Sequence, residues 1–340
     1  MTSLRRGINL GGFLSQCTHE EKHYDSFIKE EDIVRIREMG FDHIRLPIDY
    51  EVFETEEGVR KDKGFERVHE VISWCEGQKL PVILDLHKAY GYDFNDAGDS
   101  EKNRLFTDEK VQGRFLKLWE AIAKEFSGCK DLAFELLNEV VEDENADAWN
   151  ALIKKAVSVI RNFSKDAWII YGGIQWNSAG TIKYLEKPAD DRILFTFHFY
   201  EPLVFTHQWA HWMPVMKEIG DVHYPDSYEI YKEKSRILGA QGQNVLDRQY
   251  DEMNISYLRS MVNVAVDAAK EKGAPLYVGE FGVIDQAPSE DTLRWFRDVM
   301  TIFSEENIGC ALWTYKNMDF GINQEHYAGI RNELLQLLTQ

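Results

Sequence analysis

A chain of 340 residues with 44% hydrophobic side chains is long enough for two average domains or for one large α/β barrel. Its formal charge of −19 argues against nucleic acid, anionic membranes and acidic polysaccharides as partners, because such surfaces are met by clustered Lys and Arg; a neutral substrate is compatible. Cys17, Cys75, Cys129 and Cys310 are widely spaced and form no CxxC pair, so neither a zinc cage nor a disulfide framework is indicated.

In chain order, short apolar runs alternate with longer amphipathic stretches. The first strand is expected at 6–10 (RGINL), then, past an exposed stretch at Tyr24–Ser26, a helix over 30–39. HIRLP at 43–47, PVILDLH at 81–87 and LAFELLNE at 132–139 read as strands, separated by helices over 64–75 and 108–126. The acidic run 142–147 reads as a solvated loop leading into a helix over 146–162. WIIYGG at 168–173, a short helix near 181–185 and ILFTFHFY at 193–200 follow. The next strand, LYVGEFG at 276–282, comes only after a helix over 255–272. The last unit is a helix over 289–304, with Ser289 as its cap, then GCALWTY at 309–315 and a helix over 329–338.

Several of these strands are apolar throughout, as parallel strands covered on both faces are. Eight strands each followed by a helix, with right-handed crossovers, make a (β/α)₈ TIM barrel in one domain spanning 1–340. A doubly wound sheet is the alternative, but GINLGG lacks the GxGxxG spacing of a dinucleotide site. The long, Trp-, Tyr- and His-rich stretch 202–250 is expected as a subdomain inserted between strand 6 and helix 6, over the barrel mouth. No N-terminal apolar leader and no membrane-length apolar run is visible, so the expected location is the cytoplasm, or outside the cell had a leader been removed. A monomer is expected.

Barrel chemistry sits at the C-terminal strand ends. Those ends carry Arg45, His87, Asn138, Glu139, His198, Tyr200, Glu280 and Trp313. Glu139 and Glu280 close strands 4 and 7, across the mouth from one another. Cleavage of a glycosidic bond needs two such carboxyl groups flanking the anomeric carbon. Read alone, either glutamate is as readily a solvated or salt-bridged group, and Arg45 could close a structural ion pair. His207 and His211 have i, i+4 spacing, but HExxH is absent and no third ligand is fixed; hydrogen-bonding roles within the insertion are favoured. Neither a metal nor a cofactor is expected.

The ordered set GINLGG, GFDHIRLP, LDLH, FELLNE, TFHFY, VGEFG and ALWTY resembles glycoside hydrolase family 5, the cellulase family, over nearly the whole chain. FTHQWAHW at 205–212 and KNMDF at 316–320 are similar to its clostridial endoglucanase branch. The resemblance implies a retaining hydrolase with Glu139 as acid/base and Glu280 as nucleophile. Arg45 and Tyr200 would then stabilise Glu280, Asn138 would bind the sugar 2-hydroxyl, and His87 and His198 would orient sugar hydroxyls and the acid/base. Trp212 and Trp313 would offer flat faces to the pyranose ring. The implied activity is an endo-β-1,4-glucanase on cellulose-like or mixed-linkage β-glucan or its oligosaccharides. The alternatives are a mannanase, a β-1,3-glucanase, an exo-β-glucosidase, or a non-catalytic carbohydrate-binding barrel. Phe13, Lys88, Tyr90 and Gln175 depart from the family pattern on the glycone side, and Lys88 raises the expectation of a substituted or charged glycan.

Overall fold

The computed structural model describes residues 4–340; Met1–Ser3, the head of the segment read for a leader, lie outside the described residues. Eight strands close into a barrel: β1 (Arg6–Asn9), β2 (His43–Asp49), β3 (Val82–Lys88), β4 (Leu132–Glu135), β5 (Trp168–Gly172), β6 (Ile193–Phe199), β7 (Leu276–Phe281) and β8 (Gly309–Leu312). Every neighbouring pair is parallel, and β8 returns to β1 with Arg6 opposite Cys310. The outer wall includes α1 (Glu21–Phe27), α2 (Glu30–Glu38), α3 (Asp62–Gly77), α4 (Glu109–Glu125), α5 (Ala146–Arg161), α6 (Ile255–Lys272), α7 (Ser289–Glu305) and α8 (Arg331–Thr339). Among the described residues no helix is long and apolar enough to cross a membrane.

Alternation along the strands sorts side chains between two cores. The outward set joins the helices in one large cluster, where Trp119, Trp149 and Trp295 are fully buried. The inward set forms a small layer of Ile83, Ala133, Ile170, Tyr277 and Ala311. Beside it the His43 ring meets the Tyr277 hydroxyl at 2.6 Å. Gly7 makes room for that ring, since a Cβ there would come within 2.2 Å of it. One step further toward the C-terminal ends the same faces turn polar, with Asn9, Arg45, Asp85 and Glu135 all buried.

Two expected boundaries shift for reasons that bear on the site. β4 ends at Glu135, before Asn138 and Glu139. Successive side chains on a regular strand point to opposite faces, so a strand continuing through 139 could not turn both of these residues inward. The segment stays tied by Leu136 N–H to the Ile170 carbonyl at 2.9 Å and by Asn138 N–H to the Leu86 carbonyl at 3.1 Å. β7 carries a bulge against β6: Phe197 faces Val278, but His198 faces Glu280. Gly279 is the extra residue, and it lets Tyr277 and Glu280, three apart, share the interior.

Elsewhere the differences are small. Tyr24–Ser26 is helical within α1, and Tyr24 is buried. Pro288, not Ser289, occupies the cap position of α7, and Ser289 is its first residue. The short helix after β5 is a 3₁₀ helix at Ala179–Tyr184. Between β6 and α6 lie short helices and a two-stranded antiparallel ribbon, Asp226–Ser227 with Glu252–Met253. Tyr224, Tyr228 and Tyr231 are fully buried within that stretch, so they serve packing. The four cysteines are free thiols.

Candidate active site

The polar layer is organised by Arg45, whose side chain is wholly buried. Its guanidinium meets Glu135 as a fork, Nε to Oε2 at 2.8 Å and Nη2 to Oε1 at 2.9 Å. Nη1 donates to Glu280 Oε1 at 2.8 Å and to Asn9 Oδ1 at 3.0 Å. Nη2 also reaches Asn138 Oδ1 at 2.9 Å and Asp85 Oδ2 at 3.1 Å. A buried guanidinium costs several kcal/mol of lost hydration unless its donors and its charge are met, and here they are. Asp85 additionally holds His87 Nδ1 at 2.7 Å, which raises the basicity of that imidazole against the opposing effect of burial. The ring of His87 lies parallel to that of Trp313, with centroids 5.8 Å apart. Gly11 makes space for the indole, because a Cβ there would stand 2.8 Å from it.

Glu280 is held at both oxygens. Arg45 takes Oε1, and the Tyr200 hydroxyl donates to Oε2 at 2.9 Å. Glu139 has a different setting. His198 Nδ1 stands 2.7 Å from its Oε1 and 3.7 Å from Glu280 Oε2. The Glu139 carboxyl is pushed well above the usual range, first by burial and then by the nearby Glu280 charge. Burial and the Arg45 charge hold His198 neutral, well below its ordinary pKa. A neutral imidazole donating from Nδ1 to Glu139 Oε1 leaves the acid proton for Oε2. Ligand atoms of Glu139, His198 and Glu280 all lie within 4.8 Å of one another. That spacing suits a sugar carbon between two carboxyl groups, and the trio also has the donors of a metal site.

Thus Arg45, His87, Asn138, Glu139, His198, Tyr200, Glu280 and Trp313 come together. Asn138 turns its carbonyl to Arg45, which leaves its Nδ2 to donate. Trp212 is 46% exposed and packs through His207 and Phe320, whose rings flank Tyr200. His207 is half-buried and bonded to Thr206, whereas His211 is exposed beside Asp319, so the two histidines keep separate partners.

Asn9, Asp85 and Glu135 were not singled out in the sequence, although their period-two spacing from inward neighbours carries that signal. Trp176 was missed as well. It stands 37% exposed just after β5, where Gln175, Trp176 and Asn177 all have positive φ. Gln175 and Trp176 N–H groups are bonded to the Val141 and Val140 carbonyls, each at 3.1 Å, so the backbone that carries the indole is tied to the segment just after Glu139.

The four departures from the family pattern also find their places. Phe13 is fully buried in the core, and Tyr90 lies under the Arg114 guanidinium, 3.5 Å from its ring centroid. Gln175 donates to Asp143 at 2.7 Å. Lys88 pairs with Glu51 at 2.6 Å and Asp93 at 3.6 Å, so its charge is met within the chain.

Residues 6–319 match the family Cellulase (glycosyl hydrolase family 5). The chain is 38% identical to Endoglucanase C of Acetivibrio thermocellus over 345 residues, covering 100% of this chain and 99% of that one. It is 36% identical to Cellodextrinase A of Ruminococcus flavefaciens over 315 residues, covering 91% and 86% of the two chains. Among solved structures, Thermotoga maritima Cel5A, a mutant form in complex with cellobiose, superposes with a TM-score of 0.78 at 27% identity, covering 99% of this chain and 97% of that one. The same enzyme in complex with mannotriose gives 0.76 at 26% identity, covering 98% and 97%. The chain belongs to glycosyl hydrolase family 5, and it is a glycoside hydrolase.

Proposed function

For this member of glycosyl hydrolase family 5 we propose an endo-β-1,4-glucanase that cleaves β-glucan chains and their oligosaccharides with retention. The observation that carries the mechanism is the unequal proton economy of two carboxyl groups whose oxygens lie within 4.8 Å, Glu280 held by an arginine and a phenol, Glu139 buried and pushed up. Carboxyl groups about 5–5.5 Å apart are the spacing of retaining glycosidases. Glu280 attacks the anomeric carbon while the glycosidic oxygen leaves with the Glu139 proton. The product is a glycosyl ester on Glu280 and a Glu139 carboxylate. Esterification removes the Glu280 charge that held the proton on Glu139, while Arg45, which favours the ionised form, stays. Glu139 then takes a proton from water, the hydroxide formed attacks the same carbon, and the Glu280 carboxylate is released.

Within this reading the Asn138 amide donates to the sugar 2-hydroxyl, His87 and Trp313 form the floor under the glycone, and Trp176 and Trp212 face the leaving group. The placement of the leaving group follows from Trp176 being tied to the segment just after Glu139. Relatives named as an endoglucanase and a cellodextrinase support β-1,4-glucan as substrate. A hydrolysis panel of cello-, manno- and mixed-linkage oligosaccharides tests it. Cello-oligosaccharides and barley β-glucan should be cut internally, and Glu280→Ala should release no reducing ends. Turnover confined to manno-oligosaccharides, or wild-type turnover by Glu280→Ala, contradicts the reading.

A further inference from the structure

Outside the catalytic layer, the rim where the loop after β1 meets the ends of β2 and β3 carries a second convergence of titratable groups. His19, Asp49 and Glu51 present one nitrogen and two carboxylates whose ligand atoms lie within 4.8 Å of one another. The imidazole is already oriented. Its Nδ1 is 2.8 Å from the Tyr24 hydroxyl, and its Nε2 is 3.1 Å from Asp49 Oδ2. A ring nitrogen tied to an outer hydroxyl, with the other nitrogen turned to carboxylates, is how metal-binding histidines are held.

Two atoms there have nothing to bind. Asp49 Oδ1 and Glu51 Oε2 are buried without a hydrogen-bond partner among the described residues. The Asp49 side chain is only 3% exposed, so its idle oxygen carries an unpaid desolvation cost. Asp49 Oδ2 is fully used, by His19 and by the Gln16 N–H at 2.8 Å. Lys88 takes Glu51 Oε1 and leans toward Asp93, leaving Glu51 Oε2 untouched. Three carboxylates face the Lys88 ammonium and the His19 ring, whose pKa, against the effect of burial, is raised to about 9 by Asp49 and Cys17, so two negative charges are left over once that ring gives up its proton to a metal. A cavity of about 170 Å³ adjoins them, lined by Gln16, His19, Asp49, Lys88 and Asp93 among others, with room for water ligands.

We propose that His19, Asp49 and Glu51 bind one divalent transition-metal ion of the zinc or manganese class, which pins the loop after β1 to the end of β2. Mixed imidazole and carboxylate donors suit those ions better than calcium or magnesium, which take oxygen ligands. One ion cancels the local excess of charge and satisfies both idle oxygens. The ion displaces the Nε2 proton of His19, which passes to solvent. Tetrahedral ligands about 2.1 Å from a metal stand about 3.4 Å apart, so donors now within 4.8 Å of one another draw in by up to about 1.4 Å to complete the site.

The test uses the full chain stripped with chelator and titrated calorimetrically with ZnCl₂ and MnCl₂, then with CaCl₂ and MgCl₂. One equivalent of zinc or manganese should be taken up, with calcium and magnesium at least tenfold weaker. A hundredfold excess over Kd should raise Tm by at least about 3 °C. His19→Gln and Glu51→Gln should each weaken uptake tenfold or more, while Glu139→Gln, which alters the other trio of similar donors, should leave it intact. Because His19→Gln could disturb the loop itself, a second readout uses the wild type alone. Manganese should broaden the His19 ring signals in the NMR spectrum before those of His198. Absence of saturable uptake, uptake that persists in both rim variants, uptake lost in Glu139→Gln, or broadening of His198 first would each overturn the assignment.

Discussion

Glu280 and Glu139 stand on either side of one histidine, yet they are surrounded by different chemistry. Around Glu280 the barrel converges fixed donors: a guanidinium braced by Glu135, Asp85, Asn9 and Asn138, and a phenol. Around Glu139 it provides burial, a neutral imidazole and the field of the other carboxylate. One carboxyl is thereby gripped by donors at both oxygens, and its neighbour is pushed toward its protonated form by burial and by the charge beside it. The identical side chain does two jobs because a β-bulge delivers one to Arg45 and a broken strand delivers the other to His198.

Substitutions can break this asymmetry at either end. Glu280→Gln removes the nucleophile and should lower kcat on cello-oligosaccharides by at least about 10⁴-fold, as loss of a covalent nucleophile does. Glu139→Gln should cost about 10²–10⁴-fold on the same substrates, the range of general acid catalysis. Its loss in the glycosylation step should be far smaller on a dinitrophenyl glycoside, whose leaving group needs no proton. An equal loss on both substrates would show that Glu139 is not the acid. Arg45→Lys cannot reproduce the fork to Glu135 together with the bond to Glu280, and about a hundredfold loss in kcat is expected from steady-state kinetics. Tyr200→Phe removes one donor of the two on Glu280 and should cost about tenfold.

The smallest effect sharpens the comparison through stability. Glu139 has a raised pKa in the folded chain, so the fold binds its proton more tightly than the unfolded chain does. Its contribution is fully present below the ordinary carboxyl range and is lost as pH rises toward the raised value. Glu139→Gln, permanently neutral, should therefore have a higher Tm than the wild type at pH 7, by a few degrees, and the gap should close in acid. A variant less stable than the wild type at pH 7 would mean that Glu139 is held as an anion.

Most of the barrel was legible because parallel strands write their burial as apolar runs, and helix α6 was read to the residue at Ile255–Lys272. The eight mouth residues were legible because each lies within or at the end of such a run. What escaped depends on contacts between distant segments. Nothing local in FELLNE says that the strand stops at Glu135, since the break is imposed by where Asn138 and Glu139 must point. Glu135 itself looks like one more residue of a strand until Arg45, ninety positions earlier, is seen to occupy both its oxygens. Lys88 read as a free charge because its main partner, Glu51, sits in the short helix after β2, far away in sequence. Trp176 lay hidden in a loop whose backbone geometry only the fold reveals.

The division of labour between the two glutamates is tested most directly by trapping the intermediate. The enzyme is inactivated with a dinitrophenyl 2-deoxy-2-fluoro-β-cellobioside, digested, and the peptides are analysed by mass spectrometry. The account predicts a single adduct carrying the fluoro sugar on Glu280. An adduct on Glu139, or inactivation with no covalent adduct at all, would contradict it.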